Sequence, residues 1–328
     1  MTVERTELPE QLRADLRLPI VASPMFIASG PELVKAQCQA GIIGSFPTLN
    51  ARPQEALSDW FDEISESNAE FAKNNPGTPV GPFAANLIVH RSNDRIEHDL
   101  GVVVDHKVPI VITSLGARED VYEAVHSYGG IVLHDVINNR FAHKAIEKGA
   151  DGLVAVSAGA GGHAGALSPF ALIREIREWF GGPLLLSGSI AHGTSILAAQ
   201  AAGADFAYVG SAFLASPEAN VVEGYRDMIV NSGASDIVYS NLFTGVHGNY
   251  LRGSIEAAGM DPDNLPESDP SKMNFGSGGS SKSKAWKDIW GSGQGIGAVR
   301  EKLPVASLVD RLEGEYRAAV EDLRGRIF

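Results

Sequence analysis

One histidine, His163, stands in a run of small residues, SAGAGGHAGALSP, that extends from Ser157 to Pro169. Glycine and alanine on both sides leave little bulk between its imidazole and whatever lies above the loop. An imidazole that titrates near neutrality suits proton abstraction or, when charged, the holding of an anion. A solvent-exposed or backbone-capping histidine is the plain alternative. Two further loops carry paired small donors, Gly188-Ser189 and Gly210-Ser211. Glycine lets a backbone approach an anion closely, the serine hydroxyl adds a donor, and a following helix favours negative charge. Each pair alone reads as a turn; together, on adjacent loops, they predict a phosphate site.

Other residues are weighed beside these. Ala22, Pro24, Met25 and Phe26 follow an apolar run near the start, and Asn86 sits inside FAANLIV, where a buried amide needs a hydrogen-bond partner. Such a partner is either a bound ring edge or a neighbouring backbone group. His134 and Asp135 end another apolar run and face the same side, and His192 reads as the start of a helix. Gly159, Gly161 and Ala164 fit the loose G-x-G-x-x-A dinucleotide pattern, but a Rossmann fingerprint belongs to the first βα turn of its own unit. Gly293, Gly295 and Gly297 form a weaker match without a convincing strand before them. No compact histidine and carboxylate spacing points to a metal.

The elements that would position these groups are legible as eight short apolar runs, at 18–23, 41–45, 80–89, 108–114, 130–135, 151–157, 183–187 and 205–210. Nearly continuous apolar runs such as VPIVITS and DGLVAVS are expected of parallel strands buried on both faces. Amphipathic stretches lie between them, at 32–40, 53–74, 95–106, 119–128, 140–148, 169–180 and 194–202. QAGI, EKGAD and AAGAD repeat one cadence, a glycine just past a helix and then a strand. Regular alternation predicts an α/β fold, a (β/α)8 TIM barrel, in preference to an open doubly wound sheet, since no switch point shows. Active-site residues of such a barrel lie on the loops after the strands, with phosphate after strands seven and eight. That places His163 after strand six and the Gly-Ser pairs after strands seven and eight.

After the eighth run the pattern changes. The sequence predicts a barrel from 1–216 and 301–328, with 217–300 as a helical and loop-rich insertion over the mouth. Residues 217–259 look mainly helical, NFGSGGSSKSK reads as a linker on composition, and 308–326 as an amphipathic helix that returns to the barrel.

Composition narrows the partners. Hydrophobic residues make up 44% and charged residues 20% of the 328, an ordinary globular balance. The net charge of −13, from 40 acidic and 27 basic residues without a basic block, disfavours nucleic acid and anionic membranes. The one cysteine, Cys38, excludes an internal disulfide and a cysteine-built cluster and reads as helix packing. The charged N-terminus lacks a signal-peptide core and no apolar run approaches the ~18 residues of a membrane span, so a cytoplasmic location is expected. The expected partner is a small-molecule substrate, and a homodimer is compatible with the sequence.

At PIVASPM, FAANLIV, AGAGGHAG, LLLSGSIAHG, GADFAYVGSAF and AWKDIWGSGQGIG the chain resembles the nitronate monooxygenase family, formerly the 2-nitropropane dioxygenases, over nearly its whole length. The resemblance implies an FMN cofactor with its phosphate near Gly188, Ser189, Gly210 and Ser211, and its ring near Ala22, Pro24, Met25, Asn86 and Gly162. It matches His163 to the family's catalytic histidine and Gln294 to a segment that reaches the cofactor, which turns the apparent linker into an ordered loop. The implied reaction is oxidation of alkyl nitronates by dioxygen to carbonyl compounds and nitrite. An NAD(P)H-dependent FMN reductase of quinones or enoyl thioesters, or a flavin-binding protein without turnover, are the alternatives. One departure stands out: the family's Q-G-x-E-A-G-G-H has neither its glutamine nor its glutamate here, where the chain reads VSAGAGGH, which removes two polar neighbours of His163.

Overall fold

The computed structural model describes residues 3–268 and 288–326. Eight parallel strands occur where the apolar runs predict them: Ile20–Ala22, Gly44–Pro47, Phe83–Ile88, Ile110–Ser114, Ile131–Val136, Gly152–Val156, Leu184–Ser187 and Phe206–Val209. They pair in chain order from the second to the eighth, and the eighth pairs with the first through Ile20↔Ala207 and Val21↔Tyr208. A parallel bridge between Val21 and Ile43 joins the first strand to the second and closes the barrel.

Period-two alternation then fixes what each strand contributes. One register points inward, where Val21, Ile43, Ala84, Ile112, Leu133, Val154, Leu185 and Phe206 form the barrel interior, with Leu12 packed against them. The other register faces the helices and contributes to a second, larger cluster with Leu33, Val34, Phe61, Val103, Val125, Ile173 and Ile196. Each strand is therefore apolar on both faces, which is why the runs are continuous rather than alternating.

The helices between strands end as their glycines dictate. Gly41, Gly149 and Gly203 adopt φ values of 82°, 100° and 117°, the left-handed conformation that stops a helix and turns the chain into the next strand. Cys38 is fully buried in the helix Pro31–Gln39, its thiol pushed up to about 12 by burial, and it packs as an inert residue. His192 caps the helix Gly193–Ala202 by accepting the Thr194 N–H at Nδ1. The last helix, Val305–Arg326, packs on Gly193–Ala202 and on Pro31–Gln39, in the gap between the seventh and first helices. A Cβ on Gly193 would stand 2.1 Å from the backbone nitrogen of Tyr316, so glycine permits that close crossing.

Segment 217–259 departs from the mainly helical expectation. Besides the helices Glu223–Asn231 and Arg252–Ala257 it contains two strands, Ile237–Ser240 and Gly248–Leu251. These pair antiparallel, and the second also pairs with Gly162–His163, through Gly248↔His163 and Asn249↔Gly162. The expected linker at 274–284 lies outside the described residues.

Candidate active site

At the C-terminal end of the barrel lies a cavity of about 1320 Å³, above the ~300–1,000 Å³ of ordinary small-molecule sites. Pro24, Met25, Asn86, Gly162, His163, Gly188, Ser189, Gly210 and Ser211 all line it. The structure therefore gathers nine of the eleven residues singled out from sequence. Ala22 is not among them: it is fully buried at the end of the first strand, and its carbonyl accepts the Ser45 hydroxyl. Gln294 is exposed and also stands outside the lining; its backbone N–H donates to the Gly159 carbonyl at 2.9 Å, while Gly293 and Gly295 on either side reach the wall.

The glycine loops pack backbone to backbone. A Cβ on Gly161 would lie 2.7 Å from the Gly293 nitrogen, one on Gly293 2.7 Å from the Gly159 oxygen, and one on Gly295 2.7 Å from the Ser189 carbonyl carbon. Such approaches exclude any side chain, so these glycines are dictated by packing as well as by turn geometry. Ser211 is drawn into the same stack: its hydroxyl oxygen accepts the Gly293 N–H at 2.8 Å. Three of the four described non-glycine residues at positive φ, Ile27, Leu115 and Ser189, also line the cavity. That conformation costs on the order of 1–3 kcal/mol per residue and persists where surrounding structure imposes it, commonly at ligand sites.

His163 is half-buried on the sixth loop, held in the small sheet by the insertion strand Gly248–Leu251. Burial lowers its pKa to about 4, because a charged ring there loses its hydration. Its Nε2 lies 3.2 Å from Thr244 Oγ1. The Thr244 hydroxyl donates to the Val246 carbonyl at 2.9 Å and accepts the Val246 N–H at 3.2 Å. With its one proton committed, Thr244 can only accept from the imidazole, so His163 carries hydrogen on Nε2 and Nδ1 is the basic atom of the neutral ring. Thr244 thus supplies a polar neighbour in place of the two that the loop sequence lacks. Ser157 instead gives its hydroxyl to the Ser187 carbonyl at 2.6 Å, and the Ala160 carbonyl accepts from the buried Asn249 amide at 2.6 Å.

His134 and Asp135 separate by strand alternation. His134 borders the cavity but turns its ring towards the helix layer, where Nδ1 meets Thr113 Oγ1 at 2.7 Å and the Tyr122 hydroxyl at 3.0 Å, and burial holds its pKa down to about 4. It is a satisfied structural histidine. Asp135 continues the inward register of Ile131 and Leu133 and reaches the cavity floor. A chain runs to it, from Asn86 Nδ2 to Ser114 Oγ at 2.8 Å and from Ser114 Oγ to Asp135 Oδ2 at 2.6 Å. Asn86 gives its other amide hydrogen to the Ile112 carbonyl at 3.0 Å, so a neighbouring strand answers the donor half of its need. Sequence reading noticed Asp135 only beside His134. The signal that singles it out is the alternation itself, an ionisable group on the inward step of an apolar strand.

Among the described residues no group of three or more histidine, cysteine, aspartate or glutamate side chains could hold a metal ion, and no helix is long and apolar enough to cross a membrane.

Comparison with known proteins agrees with this architecture. A nitronate monooxygenase of Paraburkholderia phytofirmans is 27% identical, over 93% of this chain and 94% of that protein. Among solved structures, a nitroalkane oxidase from Streptomyces ansochromogenes superposes with a TM-score of 0.75 at 22% identity, covering 94% of this chain and 98% of that one. FabK from Thermotoga maritima superposes with a TM-score of 0.73 at 23% identity, over 99% and 100% of the two chains. These two likenesses concern the barrel. The family model described as nitronate monooxygenase matches residues 11–315, and the chain belongs to that family of oxidoreductases.

Proposed function

We propose that this protein is an FMN-dependent nitronate monooxygenase that oxidises alkyl nitronates with dioxygen to carbonyl compounds and nitrite. The observation that carries the reading is the meeting, in one cavity, of the His163 loop with the Gly188-Ser189 and Gly210-Ser211 loops. The residues fit the cofactor: the floor carries buried polar atoms that await a partner, the walls are apolar at Pro24 and Met25, and serine hydroxyls stand after strands seven and eight. Ser189, Ser211 and the glycines beside them would hold the phosphate, while Met25, Asn86 and Gly162 would border the ring. A bound FMN would supply the electron acceptor and deliver the electrons to dioxygen.

The chain's own contribution is orientation and proton handling. His163, neutral and protonated at Nε2, accepts the α-proton of a neutral nitroalkane at Nδ1, and Thr244 holds the ring in that tautomer. After that transfer the imidazolium balances the charge of the nitronate just formed, whereas a substrate that arrives as the nitronate needs no proton removed and meets a neutral ring. Segment 217–300 acts as the cover of the mouth, on a barrel formed by 1–216 and 301–328, and the strand beside His163 fixes the imidazole over the opening.

The test is anaerobic mixing of FMN-loaded protein with a nitronate and, separately, with NADH or NADPH. Bleaching of the flavin by the nitronate alone is expected, followed by nitrite release on admission of air. Rapid bleaching by a reduced nicotinamide instead makes the protein a reductase. Purified protein that neither carries nor takes up FMN overturns the reading altogether.

A further inference from the structure

Two buried polar atoms on the cavity floor lack a well-formed hydrogen bond among the described residues: Asp135 Oδ1, from strand five, and the Tyr208 hydroxyl, from strand eight, which has the Ser23 side chain beside it. Both residues take the inward register at the top of the barrel interior, where burial first and the nearby Asp135 carboxyl second raise the Tyr208 pKa. Leaving such groups unsatisfied is costly, so a folded protein retains them where something else completes them. The other oxygen of Asp135 is fixed by Ser114, itself fixed by Asn86, so Oδ1 is aimed by a two-step relay rather than free to rotate.

We propose that Asp135 and Tyr208 form a binding site for the hydrogen-bonding edge of a planar heterocycle, with Asp135 Oδ1 accepting a ring N–H and the Tyr208 hydroxyl donating to an adjacent ring carbonyl. This rests on the FMN reading above, whose ring presents an imide edge of that kind. Asp135 and Tyr208 are positioning residues for the ring, and they fix its rotation over the barrel relative to His163. The polar groups that face Asp135 are Ser114 on strand four, Asn86 on strand three and Tyr208 on strand eight, and its strand neighbour His134 turns outward. With a carboxyl that burial pushes up to about 7, the site also couples ring binding to protonation near neutrality.

The experiment is equilibrium binding of FMN and of N3-methyl-FMN to flavin-free protein, followed by quenching of flavin fluorescence, in the parent and in Asp135→Asn and Asp135→Leu. The parent should bind the methylated ring at least tenfold more weakly than FMN, and Asp135→Leu should lose FMN affinity by a similar factor and no longer distinguish the two rings. Its flavin-free thermal midpoint should be unchanged or higher, since an orphaned buried carboxyl has been replaced by an apolar group, and Asp135→Asn preserves the shape if the leucine misfolds. Unchanged FMN affinity in both variants, or the same penalty for methylation with and without the carboxyl, overturns the inference while leaving the flavin reading in place. A parent protein that binds neither ring overturns both.

Discussion

Thr244 Oγ1 and His163 Nε2 lie 3.2 Å apart, although 81 residues separate them, and this contact joins the insertion to the sixth barrel loop. Because Val246 uses the hydroxyl both as donor and as acceptor, the remaining lone pair can only receive the imidazole proton. Replacing Thr244 by valine keeps the volume and removes that acceptor. A neutral hydrogen bond is worth about 0.5–1.5 kcal/mol, so kcat/KM with a neutral nitroalkane should fall up to about tenfold, mainly in kcat. Thr244→Ser should retain activity, and FMN affinity should change little in either variant. Steady-state kinetics with flavin binding measured in parallel checks this, and an unaltered Thr244→Val enzyme would remove the tautomer assignment.

Three buried titrations give the flavin-free protein a distinctive acid response. His134 and His163 are held near 4, below the ordinary 6.5, so the unfolded chain binds more protons between those values. Their contribution is present above pH 6.5 and drains as the pH falls towards 4. Asp135 runs the other way: raised from 3.8 to about 7, it makes the folded state bind the extra proton, and its contribution is lost as the pH rises towards 7. One proton of difference is worth at most about 1.4 kcal/mol per pH unit, so the opposing carboxyl hides part of the histidine effect. Thermal midpoints between pH 4 and 6.5 should therefore fall on acidification in the parent and fall more steeply in Asp135→Asn. Equal slopes in the two proteins would contradict the assignment.

The barrel was legible because each of its strands is buried on two faces and so appears as an unbroken apolar run, and because glycines such as Gly149 and Gly203 mark where helices stop. The strands Ile237–Ser240 and Gly248–Leu251 were not, for a physical reason: they are only four residues each, they pack on a small separate cluster with Phe243, Ile255 and Ile289, and Ser240, Gly248 and Asn249 interrupt any apolar alternation. Asn249 is chosen for its bond to the Ala160 carbonyl, a partner 89 positions away that no local pattern reveals. His163 was readable from the smallness of its neighbours. Its tautomer was not, since that depends on a threonine from a segment that reads as helical.

Gly293 is the junction of the late segment with the sixth loop. A methyl group there would press to 2.7 Å on the Gly159 oxygen and 3.0 Å on the Gly161 nitrogen, both backbone atoms without room to yield. Gly293→Ala should therefore push the two loops apart, at about 1–3 kcal/mol for overpacking, and break the Ser211 bond to the Gly293 N–H. FMN affinity should drop by at least tenfold while the barrel's circular dichroism is kept. Gly314→Ala is the control, since a Cβ at that glycine meets nothing within 4 Å.

Asn249 separates the role of loop anchoring from that of direct chemistry. It is 2% exposed, pairs with Gly162 across the small sheet, and donates from Nδ2 to the Ala160 carbonyl at 2.6 Å. Its carboxamide touches no residue that handles a proton. Asn249→Ala leaves a buried carbonyl unsatisfied, a cost of about 1–3 kcal/mol that falls on the loop bearing His163. Because the barrel core is untouched, the loss should appear first as local opening, with faster amide hydrogen exchange across the His163 loop and the paired strand and little change elsewhere. Turnover should fall with it, and high FMN concentration should restore exchange protection but not the full rate, since the imidazole has lost its fixed position. Asn249→Asp removes the amide donor while keeping the shape and should reproduce the effect. Wild-type exchange rates in both variants would show that the loop is held by the backbone ladder alone.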